Sequence, residues 1–191
     1  ARPLVLRPPV QGFVEFADSH FAGHRSGCAG LYALAAGQSL AAIVANRGYY
    51  YIPHIVKKIE GQDSLDRRFY ERHYTKVDPK HFEPIVDGMW RGVNVGGTST
   101  AARLEGLDVC GKTGTAENPR GRDHSTFLSF APKDNPKIAI SVYVENGGFG
   151  ASAALPIASL LEEYYLTDTI RRPALLEHIK NMNIYYPSYD R

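Results

Sequence analysis

Val109-Cys110-Gly111-Lys112-Thr113-Gly114-Thr115-Ala116-Glu117 is the stretch on which the fold and the chemistry of this chain turn. Read as an extended strand, it places Thr113 and Thr115 on one face, because side chains alternate along a strand. Lys112 is a lone cation in a mostly neutral run. Gly111 and Gly114 carry no β-carbon, so another backbone can approach closely there. A strand edge that offers a cation, two hydroxyls and free N–H groups suits an extended peptide ending in a carboxylate.

Two more strands follow at short intervals. Asn118 to Asp123 reads as a polar turn, Ser125 to Ala131 alternates like a strand, and Pro132 to Pro136 is a second turn. Lys137 to Glu145 is the most β-branched run in the chain and the firmest strand. Short turns between three strands predict an antiparallel meander. Gly147 to Gly150 reads as a flexible loop, and Ala151 to Tyr165 as a helix with Leu155, Ala158, Leu161 and Tyr165 on the face that packs against the meander.

Upstream, Ser39 to Arg47 reads as a helix. Ser39 caps it, Leu40, Ile43 and Val44 form its apolar stripe, and Gly48 stops it. Tyr49 to Ile52 and His54 to Ile59 read as strands, and Gln62 to Arg72 as an exposed connection. A helix starts at Asp78-Pro79 or at Pro84, with Phe82, Ile85, Val86, Met89, Trp90 and Val93 as its core stripe. Thr98 is placed as the cap of a short helix through Arg103. Gly12 to Phe16 reads as a short strand, and Ala174 to Asn181 as a short helix, followed by last residues that read as loosely ordered.

The 191 residues suffice for one domain or one lobe of a larger one. A net charge of +2 without a Lys/Arg block gives no footprint for nucleic acid. Cys28 and Cys110 lack metal-ligand spacing and read as buried thiols. His20, His24 and Cys28 are spaced by fours, but Gly23, Gly27 and Gly30 argue against a firm helix there. No acidic ligand is near, so neither a metal nor a cofactor is expected. No apolar run is long enough to cross a bilayer, and any export or anchoring segment is expected to lie outside this sequence.

Lys112-Thr113-Gly114 alone is three common residues. Its ordered context is specific: Gly96-Gly97-Thr98, then Gly111 to Glu117, then His124 to Pro132, then Lys137 to Ile140, Val144-Glu145-Asn146 and the closing helix. Ala45-Asn46-Arg47-Gly48 and Pro53-His54-Ile55-Val56 precede it. As a set these resemble a penicillin-binding protein transpeptidase domain, and most nearly the class B, elongation-type enzymes called penicillin-binding protein 2. The resemblance runs from about Gly37 to Tyr165. It implies an α+β fold, an antiparallel sheet flanked by helices, shared with serine β-lactamases. It divides the chain into an unassigned segment 1–36, the C-terminal part of a transpeptidase domain at 37–166, and a tail at 167–191.

That family relies on Ser-x-x-Lys, Ser-x-Asn and Lys-Thr-Gly motifs. Only the third is present here; no Ser or Thr precedes a Lys by three residues, and no Ser precedes an Asn by two. The resemblance implies that Lys112, Thr113, Gly114 and Thr115 bind the carboxylate of a peptidoglycan stem peptide or a β-lactam. It makes the Thr115 backbone N–H one donor to the oxyanion, the catalytic contribution of this stretch. It places the protein at the periplasmic face of the bacterial inner membrane, with cell-elongation membrane proteins as partners and self-association of an incomplete lobe as a further expectation. The alternatives are a serine β-lactamase-like hydrolase and a non-catalytic module that binds the wall or a partner on the same fold. The nucleophile is missing from the sequence, so this chain alone is expected to be inactive. His124 is read as holding its turn by a hydrogen bond, and Ser125 and Ser129 as poor nucleophiles.

Overall fold

A computed structural model describes residues 26–184 apart from 55, 57, 58, 63 and 120, with side chains described from residue 36 onward. The strand expected at Gly12–Phe16 and the histidines His20 and His24 lie outside the described residues. Among those described, the centre is a three-stranded antiparallel sheet of β3 (Cys110–Ala116), β4 (His124–Ala131) and β5 (Ile138–Val144), in the order β3-β4-β5. The expected meander is present. Its register pairs Lys112 with Leu128 and Thr115 with Ser125, and continues from Leu128 to Ser141.

Period-two alternation gives each face its own core. Phe127, Ala131, Ile140 and Val142 pack with Leu155 and Ala158 of helix α3 (Ala154–Thr167), and Val93 of α2 (Glu83–Asn94) joins them. On the other face, Cys110, Phe130 and Ala139 pack with Ala41 and Val44 of α1 (Ser26–Ala45) and with Phe82 and Val86. Burying these side chains contributes about 1.5–3 kcal/mol for each large apolar group. The same alternation places Lys112 on the α1 face and Thr113 and Thr115 on the α3 face.

The structure corrects several expectations. Helix α1 begins at Ser26 and runs through Gly27, Gly30 and Gly37, so Ser39 is interior to it and not its cap. Gly37 explains part of this: a β-carbon there would lie 2.5 Å from Ser141 Oγ and 3.1 Å from Leu128 Cδ2. Close packing on the sheet compensates a weak helix former. Leu40 is 50% exposed, and Ala41, Val44 and Ala45 form the buried stripe in its place. Helix α1 ends where Arg47 and Gly48 adopt positive φ.

Strand β1 is only Tyr49–Tyr50. It pairs with β2 (His73–Tyr74), from just beyond the stretch read as a connection, and no strand forms at the described residues of 54–59. Asp78 caps a 3-10 turn at Pro79–His81, accepting from the Lys80 N–H, and α2 starts at Glu83; both proposed start signals operate, one for each element. Ile85 is exposed, although it fits the helical period. Trp90 is half-buried, and its Nε1 donates to Asp108 Oδ1 at 2.8 Å. Helix α4 (Pro173–Lys180) lies against α3, joined to it by Arg172.

Candidate peptide-binding strand

Strand β3 is an edge strand among the described residues, pairing only with β4. Its start is buried at Cys110 and Gly111, and exposure begins at Lys112. The hydrophobic period and the two glycines therefore carry the strand out of the core at the motif. Lys112 Nζ donates to the Thr113 carbonyl at 2.7 Å, so the cation is held against its own backbone while remaining exposed.

Thr113 Oγ1 lies 3.2 Å from Thr98 Oγ1. This overturns the expectation that Thr98 caps a helix: the 3-10 turn at Thr100–Ala102 has no side-chain cap, and the Thr98 hydroxyl joins the strand instead. Gly97 makes that approach possible. A β-carbon there would lie 2.6 Å from Gly92 Cα and 2.7 Å from Gly92 O, so the turn after α2 sits tight on its last turns. Gly96-Gly97-Thr98 is thus a helix stop and also the segment that delivers a third hydroxyl.

Thr115 Oγ1 accepts the Gly150 N–H at 3.3 Å. The 147–150 segment, expected as a flexible loop, is tied down at several points. Gly148 N donates to the Asp123 carbonyl at 2.8 Å, and Ser125 Oγ lies 2.9 Å from the Phe149 carbonyl while accepting the Ala154 N–H at 2.9 Å. Ser125 therefore satisfies the first N–H of α3 and anchors the loop; it is buried and unsuited to attack a substrate. Nothing in the local sequence marked it as a cap, since its helix lies 29 residues away. Gly150 rests directly on the sheet, where a β-carbon would lie 2.5 Å from the Gly114 carbonyl oxygen and 2.6 Å from that of Thr126. Phe149, next to it, is 71% exposed. His124 Nδ1 accepts the Asn146 N–H at 3.0 Å, so it holds the turn after β5, 22 residues away, rather than the turn before itself.

Lys112 sits on one face of the strand, and Thr98, Thr113 and Thr115 on the other, so a carboxylate can meet cation and hydroxyls together only across the strand edge. Burial pushes the Cys110 thiol up to about 12, against the milder pull of Lys133 and Arg47. It is a free, inert thiol at the root of the strand. Among the described residues there is no His/Cys/Asp/Glu cluster fit for a metal ion. No described helix is long and apolar enough to cross a membrane.

The penicillin binding protein transpeptidase domain family matches residues 37–161. The chain belongs to that family. Peptidoglycan D,D-transpeptidase MrdA of Haemophilus influenzae is 34% identical over 150 residues, covering 67% of this chain and 23% of the relative. Peptidoglycan D,D-transpeptidase PbpA of Mycolicibacterium smegmatis is 32% identical over 120 residues, covering 60% and 24%. Among solved structures, Pseudomonas aeruginosa PBP2 in complex with WCK 5153 superposes with a TM-score of 0.57 at 34% identity, covering 69% of this chain and 30% of that one. Penicillin-binding protein A of M. tuberculosis, in its imipenem acyl-enzyme complex, gives 0.55 at 30%, covering 68% and 30%. This transpeptidase-domain chain spans about a quarter of the length of the curated relatives it matches. The match starts at residue 37 and ends at residue 161.

Proposed function

We propose that this chain supplies the stem-peptide-holding strand of a penicillin-binding-protein-2-like peptidoglycan D,D-transpeptidase. The observation that carries this is the exposed edge of β3, where Lys112 emerges from the core on one face and the Thr98, Thr113 and Thr115 hydroxyls lie on the other. Lys112 supplies positive potential to the carboxylate of a stem peptide ending in D-Ala-D-Ala, or to that of a β-lactam. Thr113 and Thr115 hydrogen-bond it, and Gly114 lets it approach. The Thr115 N–H serves as one oxyanion donor; losing such a donor costs about 10²–10³ in rate. The attacking Ser and its Lys base belong to Ser-x-x-Lys, which this sequence does not contain. Acyl transfer therefore needs a polypeptide that carries it. The work would take place outside the cytoplasm, at the inner membrane, in the setting of cell-wall growth and cell shape. Residues 37–166 form the functional part.

The test has two arms. Fluorescent penicillin should leave the chain alone unlabelled, and should stably acylate the serine of a separate Ser-x-x-Lys segment once the two are refolded together. A D-Ala-D-Ala peptide should shift the amide resonances of Lys112 to Thr115, and Lys112→Ala should weaken that binding about tenfold or more. Peptide shifts that spare β3 would overturn the binding role. β-Lactam hydrolysis without stable label would point to the hydrolase alternative.

A further inference from the structure

Asn146, in the turn after β5, is buried and holds a positive φ of 54°. Asn tolerates that left-handed backbone better than most residues other than Gly. Its side-chain carbonyl Oδ1 accepts from Asn118 Nδ2 at 2.9 Å. Asn118 belongs to the other turn, the one between β3 and β4. A side-chain amide carries two N–H donors, and the same Asn118 Nδ2 also donates to the Arg122 carbonyl at 3.2 Å. Its backbone N–H donates to Asp123 Oδ1 at 3.2 Å. Gly121 leaves just enough room for the pair: a β-carbon there would lie 2.9 Å from Asn146 Oδ1 and 3.1 Å from Asn118 Nδ2. One uncharged side-chain pair thus clasps two turns whose residues are 28 positions apart.

The chain that leaves this clasp is the segment that reaches Thr115. Gly147 to Gly150 follow Asn146 directly, and the Gly150 N–H donates to Thr115 Oγ1 at 3.3 Å. That bond has a chemical consequence. A threonine hydroxyl has one hydrogen and two lone pairs, and a backbone N–H can only donate. Gly150 therefore occupies a lone pair of Thr115 and leaves the hydroxyl hydrogen to point elsewhere. A carboxylate can only accept. The exposed Thr115 is thus set as a donor to a carboxylate before any ligand arrives, which removes the cost of turning it on binding. Thr113 has no such bias, because its partner is the Thr98 hydroxyl and either oxygen can donate.

We propose that Asn146, clasped by Asn118, is a positioning residue: it holds the 147–150 segment on β3 and so keeps the Thr115 hydroxyl a donor to the substrate carboxylate. The carboxylate rests on the function proposed above; the clasp and the polarity of the hydroxyl do not. Hydrogen exchange of the full chain tests the clasp without a ligand. Asn146→Gly keeps the positive φ and removes the side chain, and Asn118→Ala removes the other half. Each should lower protection of the Gly150 amide about fivefold or more, while β5 amides keep theirs. Thr115→Val takes away the acceptor and should lower Gly150 protection by itself. Adding Asn146→Gly to it should then lower that protection no further, because both changes break one link. Thr115→Ser should restore the parent value. A peptide ending in D-Ala-D-Ala, titrated by amide shifts, tests the consequence: each clasp variant should bind it about threefold to tenfold more weakly than the parent. Four results would each overturn the proposal: unchanged Gly150 protection in both clasp variants, an equal fall in β5, a further fall when Asn146→Gly joins Thr115→Val, or parent-like peptide affinity in variants whose Gly150 has loosened. If Gly150 loosens as expected while the parent chain binds no peptide, the clasp stands and the binding function falls.

Discussion

Cys110, Glu162 and Gly150 show what burial and close contact do at single residues. The Cys110 thiol, held near 12, is almost wholly protonated at neutral pH. A thiol reagent should leave it unmodified in the folded chain and modify it after denaturation, as mass spectrometry of the peptide would show. Glu162 has a folded pKa near 8 against 4.5 for the free group. The folded state therefore holds a proton that the unfolded state releases. Its favourable contribution is complete below about 4.5 and is lost as pH rises toward about 8. Glu162→Gln should stabilise the chain at neutral pH by a few kcal/mol, with a gain that shrinks toward zero in acid. Urea titrations at pH values on either side of this window would check it; a gain independent of pH would contradict the assignment. Gly150 meets backbone carbonyls rather than pliable side chains. Gly150→Ala should cost about 1–3 kcal/mol and release the Thr115 hydroxyl from its N–H, a change visible in the Thr115 resonances. Gly114 is more forgiving, because its close neighbour is the rotatable Thr126 hydroxyl.

At the scale of elements, the sheet was legible because its signals are local. Alternation in Ser125–Ala131 and Lys137–Glu145, with turn residues between them, fixes three strands and their antiparallel order. The Lys-Thr-Gly run was legible as a strand that leaves the core, because its cation, hydroxyls and glycines adjoin in sequence. What escaped depends on contacts distant in the chain. Helix α1 runs through Gly27 and Gly30, which argued against a helix there, and Leu40 fits the helical period yet faces water because Ala41 and Val44 occupy the contact. Thr98 is an ordinary cap candidate until the fold brings it to Thr113, and Ser125 caps a helix that begins far beyond it. Packing of α1 offers a direct check. Gly37→Val would drive a branched side chain into Ser141 and Leu128. It should cost about 1–3 kcal/mol, read as a lower thermal midpoint, whereas Leu40→Lys on the exposed face should change it little.

On the scale of the whole molecule, the described residues are built around a sheet whose two faces are covered differently. The α1 face leaves Lys112 open at the edge, and the α3 face locks the loop that holds Thr115. Residues 167–184 are joined to α3. Arg172 reaches back from beyond the end of α3 to the carboxylate of Glu163, which is only 6% exposed, and to the Ser159 carbonyl. Removing one partner of a largely buried ion pair leaves the other desolvated and uncompensated, a loss of about 3 kcal/mol. Arg172→Ala should therefore destabilise the fold by about that amount, and truncation after residue 166 should do at least as much harm. Arg172→Lys should recover only part, because an ammonium cannot match the fork that serves a carboxylate and a carbonyl together. Denaturant midpoints of the three variants decide the matter. If truncation leaves stability unchanged, the segment after 166 is an appendage; if it matches or exceeds Arg172→Ala, that segment is part of the support of α3 through Glu163 and the Ser159 carbonyl.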